Sequence, residues 1–267
     1  MRSTTRASLF LLVCAAGLSS GEAGSPKPLP NAHAHNDYRH PRPLLDALEQ
    51  GFTSVEADIY LVEGELLVAH DPVELVQRRR LEDLYLKPLH ERVKRNGGRV
   101  FKEEADFTLL IDLKSDGKTT YQALSKLLAG YADMLTAVNK GRVEKRAVTV
   151  VISGERDWEG IAAEATRHAG VDGRLSDLDS DRPAHLMPLI SDRWSAHFKW
   201  SGEGPQPEEE KRRLKEIVQK AHEKGRRVRF WATPESKAVW KALREAGVDL
   251  INTDKLKELR AFLVEGR

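Results

Sequence analysis

Asn31-Ala-His-Ala-His-Asn-Asp-Tyr38, then Arg42-Pro-Leu-Leu-Asp-Ala-Leu-Glu-Gln-Gly-Phe-Thr-Ser-Val-Glu-Ala-Asp-Ile-Tyr-Leu61 and Gly64-Glu-Leu-Leu-Val-Ala-His-Asp71, is the stretch whose reading decides the fold. From Thr53 to Tyr60 polar and apolar residues alternate as they do along a strand. That puts Glu56 and Asp58 on one face, roughly 7 Å apart. Leu29 to Asn36 reads as a preceding strand with His33 and His35 near its end, also on one face. Glu65 to His70 reads as a further strand that ends on His70. Between the first two, Pro43 to Gln50 makes a short helix, with Pro early and Gly51 just past its end. Acids and histidines at the carboxyl ends of consecutive strands are the pattern of an α/β active site.

The rest of the chain continues the alternation. Glu74 to Arg95 has helical character, broken near Pro88. Asp106 to Lys114 is a buried strand that stops on Asp112-Leu-Lys114. Tyr121 to Val138 reads as a helix, Ala147 to Gly154 as a strand ending on Ser153, and Trp158 to Ala169 as a helix closed by Gly170. Val171 to Pro183 reads as a loop with room for one short strand. Leu186 to Ser191 is a strand, Glu208 to Glu223 a helix, Arg227 to Ala232 a strand and Glu235 to Ala246 a helix. Val248 to Asp254 is the last strand. Roughly eight strands, most separated by helices, predict right-handed parallel crossovers and one closed (β/α)8 barrel whose strand ends share a rim.

Composition agrees with a single such domain. The chain has 267 residues, and 43 basic against 41 acidic side chains give no charge excess that demands nucleic acid. Arg2 and Arg6, the apolar run Ala7 to Leu18 and the small residues Ser19 to Gly24 read as a secretory signal. Cleavage is expected after Ala23, leaving residues 24–267 as the barrel and a secreted or periplasmic protein. The single cysteine, Cys14, lies in the apolar run behind Val13, which is too large for a lipoprotein box. No other run is long and apolar enough to span a bilayer.

At the expected rim, Glu56, Asp58 and Asp112 offer hard oxygen ligands, suited to one divalent cation, Mg²⁺ or Ca²⁺, rather than Zn²⁺. Two histidines from different strands can serve as base and acid about a phosphorus centre. Lys114 is placed to steady an anionic phosphate, and Trp231 is a second candidate substrate contact. This set is a kit for cleaving a small-molecule or lipid-derived phosphodiester. A Glu-x-Asp on a strand is often only an exposed polar face, but helices on both sides of these strands argue against a solvated sheet here. Trp194 and Trp200 read either as loop packing or as a lid.

His-Ala-His-Asn-Asp-Tyr, the spacing of Gly51, Glu56 and Asp58, the pair His70-Asp71 and the closing Asn252-Thr-Asp254 carry a resemblance. They are similar to the glycerophosphodiester phosphodiesterase and phosphatidylinositol phospholipase C-like superfamily, in a bacterial and fungal branch like a yeast mitochondrial-inheritance protein. The resemblance implies a distorted (β/α)8 TIM barrel with one divalent cation and a histidine pair. It matches Glu56, Asp58 and Asp112 to metal ligands, His70 to the second histidine and Lys114 to the lysine after the third acid. Three departures stand out. His-Asn-Asp replaces the usual His-Arg-Gly, so the arginine that would contact phosphate is missing. Arg42-Pro43-Leu44-Leu45 replaces Pro-Glu-Asn-Thr, and Asp112 stands where Glu is common. Of the first pair, His35 is expected at the rim as the partner of His70 in proton transfer. His33 is expected one layer deeper, against the cation or orienting one of its ligands. A phosphomonoesterase of the polymerase-and-histidinol-phosphatase type would need further metal-binding histidines at later strand ends, where Ser153, Ser191, Trp231 and Asp254 stand. A non-catalytic ligand-binding barrel is the other alternative.

Overall fold

Eight short, apolar-rich runs become the staves of a barrel in the computed structural model, which describes residues 26–265. The expected leader therefore lies outside the described residues. The barrel strands are β1 (Leu29–Ala34), β2 (Phe52–Val62), β3 (Phe107–Leu113), β4 (Val148–Gly154), β5 (Ala169–Gly173), β6 (Leu189–Arg193), β7 (Arg227–Trp231) and β8 (Leu250–Thr253). Each pairs in parallel with the next, and β8 pairs with β1 to close the ring. Closure leaves no free sheet edge and brings all eight carboxyl ends to one rim.

Alternation along β3 shows how the core divides. Phe107, Leu109, Ile111 and Leu113 join the main apolar cluster, which the surrounding helices complete. Leu110 belongs instead to a separate plug with Val151, Leu189 and Leu250. Thr108, Leu110 and Asp112 thus share the inner face, with Asp112 at the rim. Register extends this around the barrel: Asp58 pairs across from Asp112, Asp112 from Ser153, and His33 from both Ser54 and Asn252. Polar side chains therefore form a layer above an apolar plug.

Four expectations need correction. Glu65–Val68 is not a barrel strand; it runs antiparallel to β2, joined by a turn through Glu63 and Gly64, both at positive φ. The hairpin folds back far enough for the Ala69 N–H to donate to the Asp58 carbonyl at 3.1 Å, and so returns His70 to the rim. The helix expected over Trp158 to Ala169 stops at Ala163, and Ala169–Gly173 is the fifth stave. That strand carries two glycines, and a Cβ on Gly173 would press on Met187 and Ile190, so packing between β4 and β6 imposes a strand that propensity does not favour. The helix expected through Val138 ends at Ala129, and Ala137–Asn139 joins Arg142–Glu144 and Thr166–Arg167 in a small antiparallel sheet. The helix expected from Glu74 starts only at Leu81, after a 3-10 turn over Pro72–Gln77, and Pro88 does not end it: a π turn over Glu82–Leu86 runs directly into the α-helix Lys87–Arg95, so the irregular turn lies just ahead of the proline that lacks an N–H.

Candidate active site

The rim encloses a cavity of about 460 Å³ lined by His35, Glu56, Asp58, His70, Asp112, Lys114 and Trp231, with Arg174, Arg193 and Arg229 among its other walls. Seven of the eight residues singled out from sequence thus meet in one place. The eighth, His33, lies beneath it, fully buried.

His33 is held on all sides. An Arg229 N–H donates to its Nε2 at 2.8 Å, and Ser54 Oγ lies 2.7 Å from its Nδ1. Glu56 Oε2 also lies 3.2 Å from Nε2, but a guanidinium can only donate, so the shorter Arg229 contact takes the Nε2 lone pair and leaves the ring proton on Nδ1, toward Ser54. Burial, together with the Arg229 charge, pushes the pKa of His33 down to about 4. It is a neutral positioning group whose lone pair is already taken. The same Arg229 nitrogen donates to Glu56 Oε2 at 3.0 Å. Burial alone would raise the Glu56 carboxyl, but that guanidinium overrides it and holds the group well below the usual range.

His35 leaves the end of β1 and meets different partners. Its Nδ1 lies 2.8 Å from Asp254 Oδ1, which accepts from it, and Nε2 remains for the cavity. Burial works to lower its pKa, yet the bond to Asp254 and the field of Glu56 outweigh burial, and the net shift is upward. His70 is arranged in the same way, with Nδ1 2.8 Å from Asp58 Oδ2. The Tyr38 hydroxyl, 2.9 Å from that oxygen, 2.7 Å from Asn36 Oδ1 and 3.1 Å from His70 Nδ1, ties the two ends of the opening motif together.

The three acids form one cluster: an oxygen of each of Glu56, Asp58 and Asp112 lies within 4.8 Å of the others. Lys114 Nζ sits 3.0 Å from Asp58 and 3.5 Å from Asp112. That lysine does not remove the strain: burial and the Asp58 charge push Asp112 up to about 6, and Asp58 is raised as well. Asp58 Oδ2 serves His70, Tyr38 and Lys114, while its buried Oδ1 has no partner. A cluster of three acids, one of them with an orphaned carboxylate oxygen, fits a hard cation with oxygen ligands. Backbone shape protects the arrangement. Gly154, at φ +71°, ends β4 beside Asp112, and a Cβ there would run into Asp112 Oδ1 and the Leu113 carbonyl oxygen.

Sequence reading missed several members. Arg229 alternates with Val228 and Phe230 along β7, so its inward face was available to the same pattern argument. Asp172 and Arg174 were hidden because β5 was read as loop. Asp172 is fully buried, and its Oδ2 accepts from Ser153 at 2.8 Å, from Ser191 and from Arg174 at 2.8 Å. Arg174 just after β5, Arg193 at the end of β6 and Arg229 in the middle of β7 thus stand in the cavity whose motif lacks the usual arginine. Trp194 is buried and stacked on Phe198 at 4.3 Å, which makes it packing and not a lid. The ends of β4 to β8 contribute no histidine to this cavity among the described residues, so the phosphomonoesterase pattern is not met.

Comparison with known proteins agrees with this picture. The family described as an AIM6-like phosphodiesterase domain matches residues 27–170, and the glycerophosphoryl diester phosphodiesterase family matches residues 227–257. The altered inheritance of mitochondria protein 6 of Eremothecium gossypii is 30% identical, over 88% of this chain and 69% of its own. Its homolog in Arthroderma benhamiae is 28% identical, over 88% of this chain and 84% of its own. Among solved structures, a glycerophosphodiester phosphodiesterase from Parabacteroides distasonis superposes with a TM-score of 0.52 at 16% identity, covering 90% of this chain and 99% of that one. The phosphatidylinositol-specific phospholipase C from Listeria monocytogenes gives 0.51 at 9% identity, covering 92% and 97%. At such identities these two likenesses are of fold.

Proposed function

We propose, from the premise that this chain belongs to the AIM6-like phosphodiesterase family and is a phosphoric diester hydrolase, that it is an exported, cation-dependent enzyme using histidine acid/base chemistry on a glycerophosphodiester or phospholipid-type diester. The observation that carries this is the pair of histidines, His35 and His70, each with Nδ1 on a carboxylate at 2.8 Å, flanking one cluster of three acids. An Nδ1–H given to a carboxylate fixes the ring and leaves Nε2 for proton transfer.

Glu56, Asp58 and Asp112 would hold the cation. When bound, it would neutralise charge that develops on the phosphate oxygens. In the first step His70 Nε2 takes the proton of a hydroxyl next to the phosphate, and that oxygen bonds to phosphorus. The bond from phosphorus to the departing alcohol breaks, and protonated His35 gives its Nε2 proton to the departing oxygen. The products are a cyclic phosphodiester and a free alcohol. With roles reversed, water then opens the ring. His35 is the acid because Asp254 and Glu56 favour its charged form. Export rests on the basic start, apolar run and small-residue tail of the first 24 residues. Hydrolysis of a model diester against a model monoester, with and without Mg²⁺ or Ca²⁺, tests the activity, and turnover of the monoester alone would overturn it. The amino terminus of protein isolated from its host tests export: a start near Gly24 is expected, and an intact Met1 on cytoplasmic protein would refute it.

A further inference from the structure

Across the barrel from β2, the wall of the cavity is cationic. Arg174 follows β5, Arg193 ends β6 and Trp231 ends β7, and all three line the cavity. Arg174 is anchored from below: Asp172 Oδ2 accepts from its Nη1 at 2.8 Å, and Ser153 Oγ accepts from its Nη2 at 3.3 Å. The Arg193 guanidinium lies over the Trp231 ring, 4.6 Å from its centroid. Among the described residues no carboxylate pairs with that guanidinium. Lys114 and Arg229, by contrast, are engaged by Asp58 and Glu56 at 3.0 Å each.

The diester phosphate carries one negative charge, and the three acids with a divalent cation, Lys114 and Arg229 would together leave one positive charge to balance it. Arg193 is then a preoriented cation with no counter-charge, beside a second guanidinium that presents its remaining N–H groups. A quaternary ammonium group needs an open aromatic face and acidic neighbours. Here the Trp231 face is covered by a guanidinium, and a cationic head would meet two arginines.

We infer that the alcohol on the far side of the phosphate carries its own phosphate group, so that this wall selects diesters of phosphorylated alcohols over those of choline or ethanolamine. The inference rests on the diesterase reading above. Paired N–H donors of a guanidinium match a phosphate's oxygens, and a fixed fork loses little freedom on binding.

The test compares three glycerophosphodiesters whose second alcohol is glycerol 3-phosphate, glycerol or choline. Each is assayed free in water and, as its 1-acyl form, which keeps the attacking glycerol 2-hydroxyl, in detergent micelles, which separates a soluble from a lipid-borne source. The phosphate-headed diester should exceed the choline diester in kcat/KM by about 30-fold, and Arg193→Gln should cut that ratio about tenfold, as loss of a charge-assisted contact does. Equal or better turnover of the choline diester, or a ratio unchanged by Arg193→Gln, would overturn it. Should none of the three be hydrolysed, the glycerophosphodiester reading fails, and calorimetry with the methylene-phosphonate analogues of the phosphate-headed and choline-headed diesters decides separately. Tighter binding of the phosphate-headed analogue, weakened in Arg193→Gln, supports the selective wall; equal binding refutes it.

Discussion

Replacing each of the two histidines of the opening motif by alanine should give opposite phenotypes. His33 is fully buried, neutral, and shared between Arg229 and Ser54. His33→Ala empties a closed site, leaves Ser54 without this partner and takes one acceptor from a buried guanidinium. Losses of this kind cost about 2–4 kcal/mol. For a chain of this size that lowers Tm by roughly 4–16 °C. The cation site should weaken too, because Arg229 is then free to pull on Glu56. At saturating cation, kcat should recover in large part. His35 has a side chain 24% exposed, and its partner Asp254 is 57% exposed, so their pair adds about 1 kcal/mol or less to stability. His35→Ala should melt within about 3 °C of the parent, yet lose about 10²- to 10⁴-fold in kcat at every cation concentration. The assay is diester turnover across a Mg²⁺ titration, with a melting curve for each variant. If His33→Ala is dead at all cation concentrations with an unchanged Tm, and His35→Ala turns over normally, the assignment of roles is refuted.

Chelation should abolish activity and Mg²⁺ or Ca²⁺ restore it, and Asp58→Asn should weaken cation binding in calorimetry while the barrel still melts cooperatively; full activity in excess chelator would contradict both. Gly154→Ala should raise the cation concentration needed for half-maximal activity at least tenfold, since the new methyl group displaces Asp112 and a left-handed alanine costs about 1–2 kcal/mol besides. An unchanged cation titration would count against this account of Gly154. Asp37 supplies a pH dependence of stability. Burial pushes its carboxyl from the ordinary value of 3.8 up to about 7, although the Leu44 N–H and Tyr85 hydroxyl both donate to it. Between those values the folded chain keeps a proton that the unfolded chain has released. The stabilisation is therefore complete below about pH 4 and is lost as pH rises through about 7, a difference of order 2–4 kcal/mol. Asp37→Asn should flatten that part of the curve of stability against pH, and parallel curves for parent and variant would disprove it.

Seven of the eight staves and the three clustered acids were legible in the sequence. Glu56, Asp58 and Asp112 could be found because a strand's two-residue period and its carboxyl end are local properties, written in Val55, Ala57 and Ile59 around the acids and in the apolar run before Asp112. The order of strands and helices then left few topologies open, and closure put the ends on one rim. Tertiary structure alone decided the rest. His70 was expected at the end of a stave, but it reaches the rim on a hairpin, because Glu63 and Gly64 turn the chain back along β2. The strand Ala169–Gly173 forms although glycine disfavours it, since it must bridge β4 and β6, and a Cβ at Gly170 or Gly173 would press on Pro188, Met187 or Ile190. Which histidine is buried against an arginine and which opens to the cavity depends on Arg229, 196 residues beyond His33 in the chain. No local pattern encodes that pairing: it comes from the closed ring, in which β7 faces β1 and β2 across the interior, and from burial, which leaves His33 neutral while Asp254 at the rim keeps His35 ready to hold a proton.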